Sequence, residues 1–231
     1  MLVLSLSACA AFKSKPTEVS VAIPDRDWWD KAASSADPAT RNIAQARERM
    51  KRVAPMWFKL GISPQPEINA FATKQNGQTL VVFTQGFLKE FGNDPDVLAT
   101  TLGHELAHHQ LGHTDPSRKK NQQLAQELTA QVLGTIANVF VPFSGLLAGP
   151  AVQTVSLGFS RDDERGADRL GLEWAYKAGY SPCGSYRFAN RMTDLGKETT
   201  LVFLSTHPGN NERAENAQAF MQEKGLPGCA P

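Results

Sequence analysis

The chain has 231 residues, 24 basic against 23 acidic side chains, a formal charge of +1 and 41% hydrophobic residues. That length holds one domain with a full core. The even charge gives no electrostatic reason to bind nucleic acid, and no repeat of solenoid period is visible.

Residues 1–9 end in Leu6-Ser7-Ala8-Cys9, which resembles a bacterial lipobox, where cysteine is lipidated on export. The apolar stretch before it is short for a signal peptide and lacks a basic start, so an upstream start codon is expected. Cys9 is thus expected to carry a lipid anchor. Cys183 and Cys229 then remain as an even pair. Export to an oxidising compartment predicts a disulfide between them, with two buried thiols as the alternative. By analogy with enterobacterial sorting, Ala10 favours the outer membrane, so the expected location is the periplasm, lipid-anchored to that membrane.

Residues 10–36, rich in Ser, Lys, Asp and Pro, read as a tether. Trp28-Trp29 interrupt it, a pair expected to dock on its own domain. Residues 37–231 read as that domain. Asp37-Pro38 marks a helix start, aspartate as cap and proline in the first turn. The helix is predicted to about Val53, with Ile43, Met50 and Val53 inward and Pro55 ending it. Residues 67–72 and 78–84 are β-prone runs around Asn76-Gly77, a hairpin signature. A short helix is predicted over 86–91.

Asp94-Pro95-Asp96 starts the next helix: a capping carboxylate, a first-turn proline and an acid at the positive end of the dipole. Val97, Leu98, Thr101, Leu102 and Leu106 form its core-facing stripe, and Gly112 closes it. Residues 128–160 carry no charge. Pro142, Gly145, Gly149 and Pro150 interrupt the run, which favours two buried helices joined near 140–149 over a membrane span. Helices are predicted over 161–177 and at about 184–195 and 211–224.

The chemistry sits on the helix after Asp94, in His104-Glu105-Leu106-Ala107-His108. Positions i and i+4 share a helix face, so both imidazoles can reach one metal ion with Glu105 beside it. Two neutral nitrogen ligands, a carboxylate base and an open corner suit metal-assisted hydrolysis. A third ligand is needed. A histidine six residues past His108 would supply it in one known pattern, but Leu111 and Thr114 stand where that pattern has glycine and histidine. His109 and His113 read as packing groups or as supports for the ligands. Glu164 is the best remaining candidate, with Asp168 one turn on to accept an N–H from a ligand imidazole. Without the histidine motif, the same carboxylates would read as a solvated face paired with arginines.

Ser160-Arg161-x-x-Glu164-x-x-Ala167-Asp168, following His104-Glu105-x-x-His108, resembles the HtpX/CAAX-prenyl-protease family of zinc metallopeptidases. The nearer likeness is to its small periplasmic lipoprotein branch (LoiP/YcaL/BepA-like), here without a tetratricopeptide domain. Asn69-Ala70-Phe71-Ala72 and Thr206-His207-Pro208 with Arg213 also fit, and the likeness covers roughly 38–224. It implies a mainly α (α+β), gluzincin-type helical domain with a small β-hairpin or sheet beside the cleft. It implies one Zn²⁺ on His104, His108 and Glu164, with Glu105 as base, Asp168 behind the ligands, and His207 or Arg213 as an extra oxyanion donor. His207 as a fourth ligand that restrains the enzyme is the open alternative.

The hairpin is expected to present an edge strand at Asn69, Ala70 and Phe71, to which an extended polypeptide adds by β-pairing. The expected function is an endopeptidase acting on misfolded or stalled envelope proteins in periplasmic quality control, with outer-membrane assembly machinery as a candidate partner. The competing expectation is an assembly factor or chaperone whose zinc supports little or restrained proteolysis.

Overall fold

Asn76 and Gly77 both take positive φ, 50° and 77°, the backbone of a two-residue hairpin turn. They join β2 (Ala70–Gln75) to β3 (Gln78–Thr84) in an antiparallel pair running from Ala70↔Phe83 to Gln75↔Gln78. This is the predicted hairpin. The computed structural model describes residues 21–115, 117, 159–196, 203, 204, 207 and 209–230. The lipobox with Cys9 and the uncharged run up to residue 158 lie outside the described residues.

A further strand, β1 (Phe58–Ser63), is not anticipated by the sequence. It runs parallel to β3, from Phe58↔Thr79 to Ser63↔Thr84, and gives the sheet order β1-β3-β2. Gly61 weakens its β signal, yet the glycine has a packing reason. A Cβ there would stand 2.6 Å from the Val21 side chain, and Ala22 bridges Ile62 alongside. The segment around Ala22 thus lines the β1 edge, while β2 is the outer strand at the other side and packs against the metal-motif helix.

The expected tether over 10–36 is corrected in its last part. Residues Arg26–Ala32 form a helix, α1, capped by Asp25, whose carboxylate accepts from Trp28 N at 2.8 Å. Trp29 is 2% exposed and joins the core, its indole N–H donating to Pro24 O at 3.1 Å, with Arg47 over its ring. The docking expected of the pair is thus made by Trp29, whereas the helix around it has no signal in its polar neighbours. One buried indole outweighs several solvated neighbours. Trp28 stays 39% exposed.

Helix α2 (Pro38–Met50) starts as predicted, Thr40 N donating to Asp37 at 2.8 Å. It stops before Val53, which packs on the core from the turn that follows. Thr84 caps α3 (Gln85–Phe91). Helix α4 (Pro95–Gln110) is capped by Asp94, which accepts from Asp96 N and Val97 N at 3.0 and 3.1 Å. Every residue from Val97 to His108 is buried. The predicted apolar stripe is therefore the whole circumference: α4 is the central helix, wrapped by its neighbours.

Helix α5 (Arg161–Lys177) opens on a capping box between Ser160 and Asp163. Helices α6 (Cys183–Gly196) and α7 (Asn210–Glu223) follow. Arg187 on α6 forks onto Asp94, with Nε–Oδ2 2.6 Å and Nη2–Oδ1 2.8 Å, which ties α6 to the cap of α4. The predicted Cys183–Cys229 disulfide is present and joins the start of α6 to the chain beyond α7. The architecture is mainly helical with one small sheet, as expected. No helix among the described residues is long and apolar enough to cross a membrane.

Candidate metal centre

Two glycines set the distance on which the site depends. Gly103 on α4 and Gly171 on α5 meet backbone to backbone. A Cβ at 103 would stand 2.6 Å from Gly171 O, and one at 171 would stand 2.6 Å from His104 N. From that crossing the helices run antiparallel, and the four-residue spacings match. His104 Nδ1 lies 2.9 Å from Asp168 Oδ1, and one turn further His108 Nε2 lies 3.2 Å from Glu164 Oε1. Side chains that share a face on each helix are thereby brought opposite each other.

The potential ligand atoms converge. His104 Nε2 is 3.0 Å from His108 Nε2 and 3.5 Å from Glu164 Oε2. His207 brings a fourth atom: its Nδ1 is 3.3 Å from His104 Nε2 and 3.1 Å from Glu164 Oε1. One atom from each of the four residues lies within 4.8 Å of every other, and all four residues are buried. A tetrahedral ion with bonds of about 2.0–2.1 Å holds its ligand atoms roughly 3.3 Å apart. The spacing therefore fits zinc. So does the donor set, three imidazole nitrogens and a carboxylate. Burial pushes the His108 imidazole well below its ordinary pKa, which leaves it neutral as a ligand must be.

Glu105 gives a second test of fit. It is 0% exposed, and neither carboxylate oxygen has a hydrogen-bond partner among the described residues. Its nearest cationic candidate is His207, with Nε2 3.6 Å from Oε1. Burial pushes the Glu105 carboxyl up, against the opposing pull of His207 and His104. A buried carboxylate left without partners is costly unless a ligand or water completes its surroundings.

Behind the ligands stands a charged layer. Arg213 on α7 donates Nη2 to Glu164 Oε2 at 2.8 Å and Nε to Asp168 Oδ1 at 2.9 Å. Burial would lower the Arg213 pKa, but Asp168 and Glu164 hold it up. Burial would likewise raise Asp168, and Arg213 with His104 keeps it ionised. The Asp168–His104 approach is close but too oblique for a good hydrogen bond, since His104 Nδ1 makes none among the described residues.

Thus His104, Glu105, His108, Glu164, Asp168, His207 and Arg213 all come together. Asn69, Ala70 and Phe71 lie at the start of the outer strand; Ala70 is fully buried and Asn69 is 7% exposed. Cys9 is outside the described residues, and Cys183 and Cys229 are bonded to each other in a separate apolar cluster.

Sequence reasoning missed two aromatic walls. Phe159 stacks on the His108 ring at 3.7 Å and 20°, and Phe203 stacks on His207 at 4.4 Å and 20°. Phe203 precedes His207 by four residues, a helical spacing that could have been noticed. His207 N donates to Phe203 O at 2.9 Å accordingly. Phe159 carries no such local signal, because its partner is on a helix distant in sequence.

Comparison with known proteins agrees with this geometry. The family described as peptidase family M48 matches residues 38–221. The chain is 32% identical over 163 residues to the mitochondrial metalloendopeptidase OMA1 of Arabidopsis thaliana, covering 70% of this chain and 31% of that protein. It is 27% identical over 161 residues to the β-barrel assembly-enhancing protease of Yersinia pestis, covering 66% and 32%. It is 30% identical over 135 residues to a protease HtpX homologue of Gemmatimonas aurantiaca, covering 49% and 44%. The chain thus spans about a third of the length of the first two of these relatives. With the family match running through both site helices, the chain belongs to peptidase family M48.

Proposed function

We propose that this chain is a zinc-dependent endopeptidase that cleaves misfolded or stalled envelope proteins in the periplasm. One observation carries the catalytic part. The Glu105 carboxylate is wholly buried, lacks a hydrogen-bond partner among the described residues, and sits beside ligand atoms spaced for a tetrahedral ion. Such a group is expensive to bury for structure alone. It is well placed as a base for a water molecule.

His104, His108 and Glu164 would hold the ion. When bound, zinc lowers the pKa of a water toward neutrality and polarises a carbonyl. Glu105 takes the proton from the attacking water and delivers it to the leaving amine. His207 is the donor for the developing oxyanion, its Nε2 standing on the Glu105 side. Arg213 takes a different part from the donor role that the resemblance implies. Its guanidinium is engaged by Glu164 and Asp168 and is 4% exposed, so it orients those carboxylates.

Substrate enters as extended chain. The outer strand β2, starting at Ala70 and Phe71 beside α4, offers a place for β-pairing. Pairing of that kind reads backbone, which favours unfolded polypeptides over one sequence. The compartment rests on the lipobox-like Leu6–Cys9, on the Cys183–Cys229 disulfide, and on a relative named for β-barrel assembly. These support a small periplasmic lipoprotein of the family, anchored through Cys9 to the outer membrane and working near its assembly machinery.

The test is Glu105→Gln. Casein cleavage should be lost while zinc content, measured by mass spectrometry, stays at one ion per chain. Retained cleavage would overturn the proposal.

One observation favours a second reading, a restrained protease or assembly factor. His207 Nδ1 already occupies the fourth corner of the ligand set. On that reading His207→Ala raises casein cleavage; on the first it lowers it.

A further inference from the structure

The two ligand imidazoles on α4 are supported differently. Behind His104 stands a carboxylate, Asp168. Behind His108 stands another imidazole: His108 Nδ1 is 2.9 Å from His113 Nδ1. His113 Nε2 in turn is 3.2 Å from Asp163 Oδ1, and both groups are buried.

Local chain geometry builds this arrangement. Gly112 takes φ 72°, in the left-handed region, and ends α4. The chain turns back, His113 N donates to His108 O at 2.9 Å, and the His113 ring meets the outer side of the His108 ring. Asp163 belongs to the capping box of α5. Its other oxygen accepts from Ser160 N at 3.2 Å, and its own N donates to Ser160 Oγ at 3.1 Å. The next residue is Glu164.

The protons in this chain of contacts have one consistent placement. His108 turns Nε2 toward the ligand cluster, so the proton of the neutral ring is on Nδ1. His108 Nδ1–H must then donate to His113 Nδ1. That leaves the His113 proton on Nε2, where it donates to Asp163. Each ring has a single tautomer and a fixed plane.

We infer that His113 and Asp163 form a positioning relay for the ligand His108, locking its tautomer and orientation and tying both to the cap of the helix that carries Glu164. The inference rests on the metal-site reading above. It assigns work to two residues that neither bind the ion nor touch substrate. It also accounts for the fourth histidine of the segment, which follows a left-handed glycine. His109 has no such part: its Nδ1 meets Thr114 Oγ1 at 2.8 Å and its Nε2 meets Leu80 O at 3.3 Å.

The test measures zinc affinity of the full chain by chelator competition, and the visible absorption of the cobalt-substituted protein, in His113→Ala, His113→Asn, Asp163→Asn and His109→Ala. Loss of an outer-shell partner of a ligand histidine typically costs about 10–100-fold in metal affinity. His113→Ala should show that loss and a shifted cobalt spectrum. His113→Asn should recover much of it, because the carboxamide oxygen sits where Nδ1 accepts. Asp163→Asn should fall between, and His109→Ala should stay within about twofold of the parent. Parent-like affinity and spectrum in His113→Ala would overturn the relay. So would equal losses in His113→Ala and His113→Asn, which would mean packing alone. Failure of the parent chain to bind zinc would instead overturn the metal site itself, and zinc bound by the parent but lost in His104→Ala keeps the two outcomes apart.

Discussion

The contact between α4 and α5 and the contact between α6 and the chain beyond α7 are held by opposite means. Helices α4 and α5 have no covalent link. They touch through Gly103 and Gly171, where any Cβ would strike backbone at 2.6 Å. Along that seam buried histidines and carboxylates lie among the aliphatic side chains. The α6 end is held by the Cys183–Cys229 bond, by Gln218, which hydrogen-bonds both N and O of Cys229, and by a small apolar cluster with Met221. The first contact is arranged for distance, the second for persistence. A site built from facing side chains needs its backbones at one separation, and a cross-link elsewhere relieves that site of carrying the whole domain's stability.

Gly171→Ala should break the comparison most sharply. The methyl would sit against His104 N, so the helices must part and the ligand set must open. The expectation is loss of zinc binding and of casein cleavage, with about 1–3 kcal/mol of stability lost to overpacking. Calorimetry and metal analysis check it. Parent-like zinc content would show that the glycine crossing is not what sets the site.

Glu105→Gln tests the chemistry on the same seam without moving the seam. Cleavage should fall by roughly 10²–10⁴-fold, as for loss of a general base. Stability should hold or rise, because a buried carboxylate without a hydrogen-bond partner among the described residues is replaced by a neutral amide. A denaturant titration that showed marked destabilisation would give Glu105 a structural duty.

Replacing both cysteines, Cys183→Ser with Cys229→Ser, should do the reverse. The bond closes a separation of 46 residues, worth about 4 kcal/mol in the chain-entropy model and commonly less in practice. The melting temperature should drop while zinc affinity stays within about threefold, because this end stands apart from the ligands. Joint loss of both would mean that the clamp also holds the site.

Asp94→Asn should be the mildest change. Burial would raise the Asp94 carboxyl, but the Arg187 fork and the N–H groups of Val97 and Asp96 hold it below its ordinary value. A lowered folded-state pKa stabilises the protein above the unfolded value near pH 4 and is lost as pH falls through the folded value. The variant should lose about 1 kcal/mol at neutral pH from the weakened Arg187 fork, since asparagine caps a helix about as well as aspartate. Its stability should also depend less on pH between about 4 and 2 than that of the parent. Unchanged acid sensitivity would remove Asp94 from the account.

Much of this protein is written locally. Caps at Asp37 and Asp94, the Asn76-Gly77 turn and the four-residue spacing of His104 and His108 act within a few residues, so the sequence alone determines the main helices, the hairpin and the metal-binding face. Glu164 and Asp168 repeat that spacing, whereas His207 and Arg213 carry no local signal and stand out only by family resemblance. The rest needed the third dimension. Strand β1 is stabilised by partners that its own glycine-broken pattern does not reveal, and α1 is held by one indole among polar neighbours. Nothing local says that Gly103 meets Gly171, that Asp163 backs the His113 ring, or that Phe159 covers the ring of His108. Those facts follow from how two helices pack. A helix states which side chains share its face, but only its neighbour decides what that face meets.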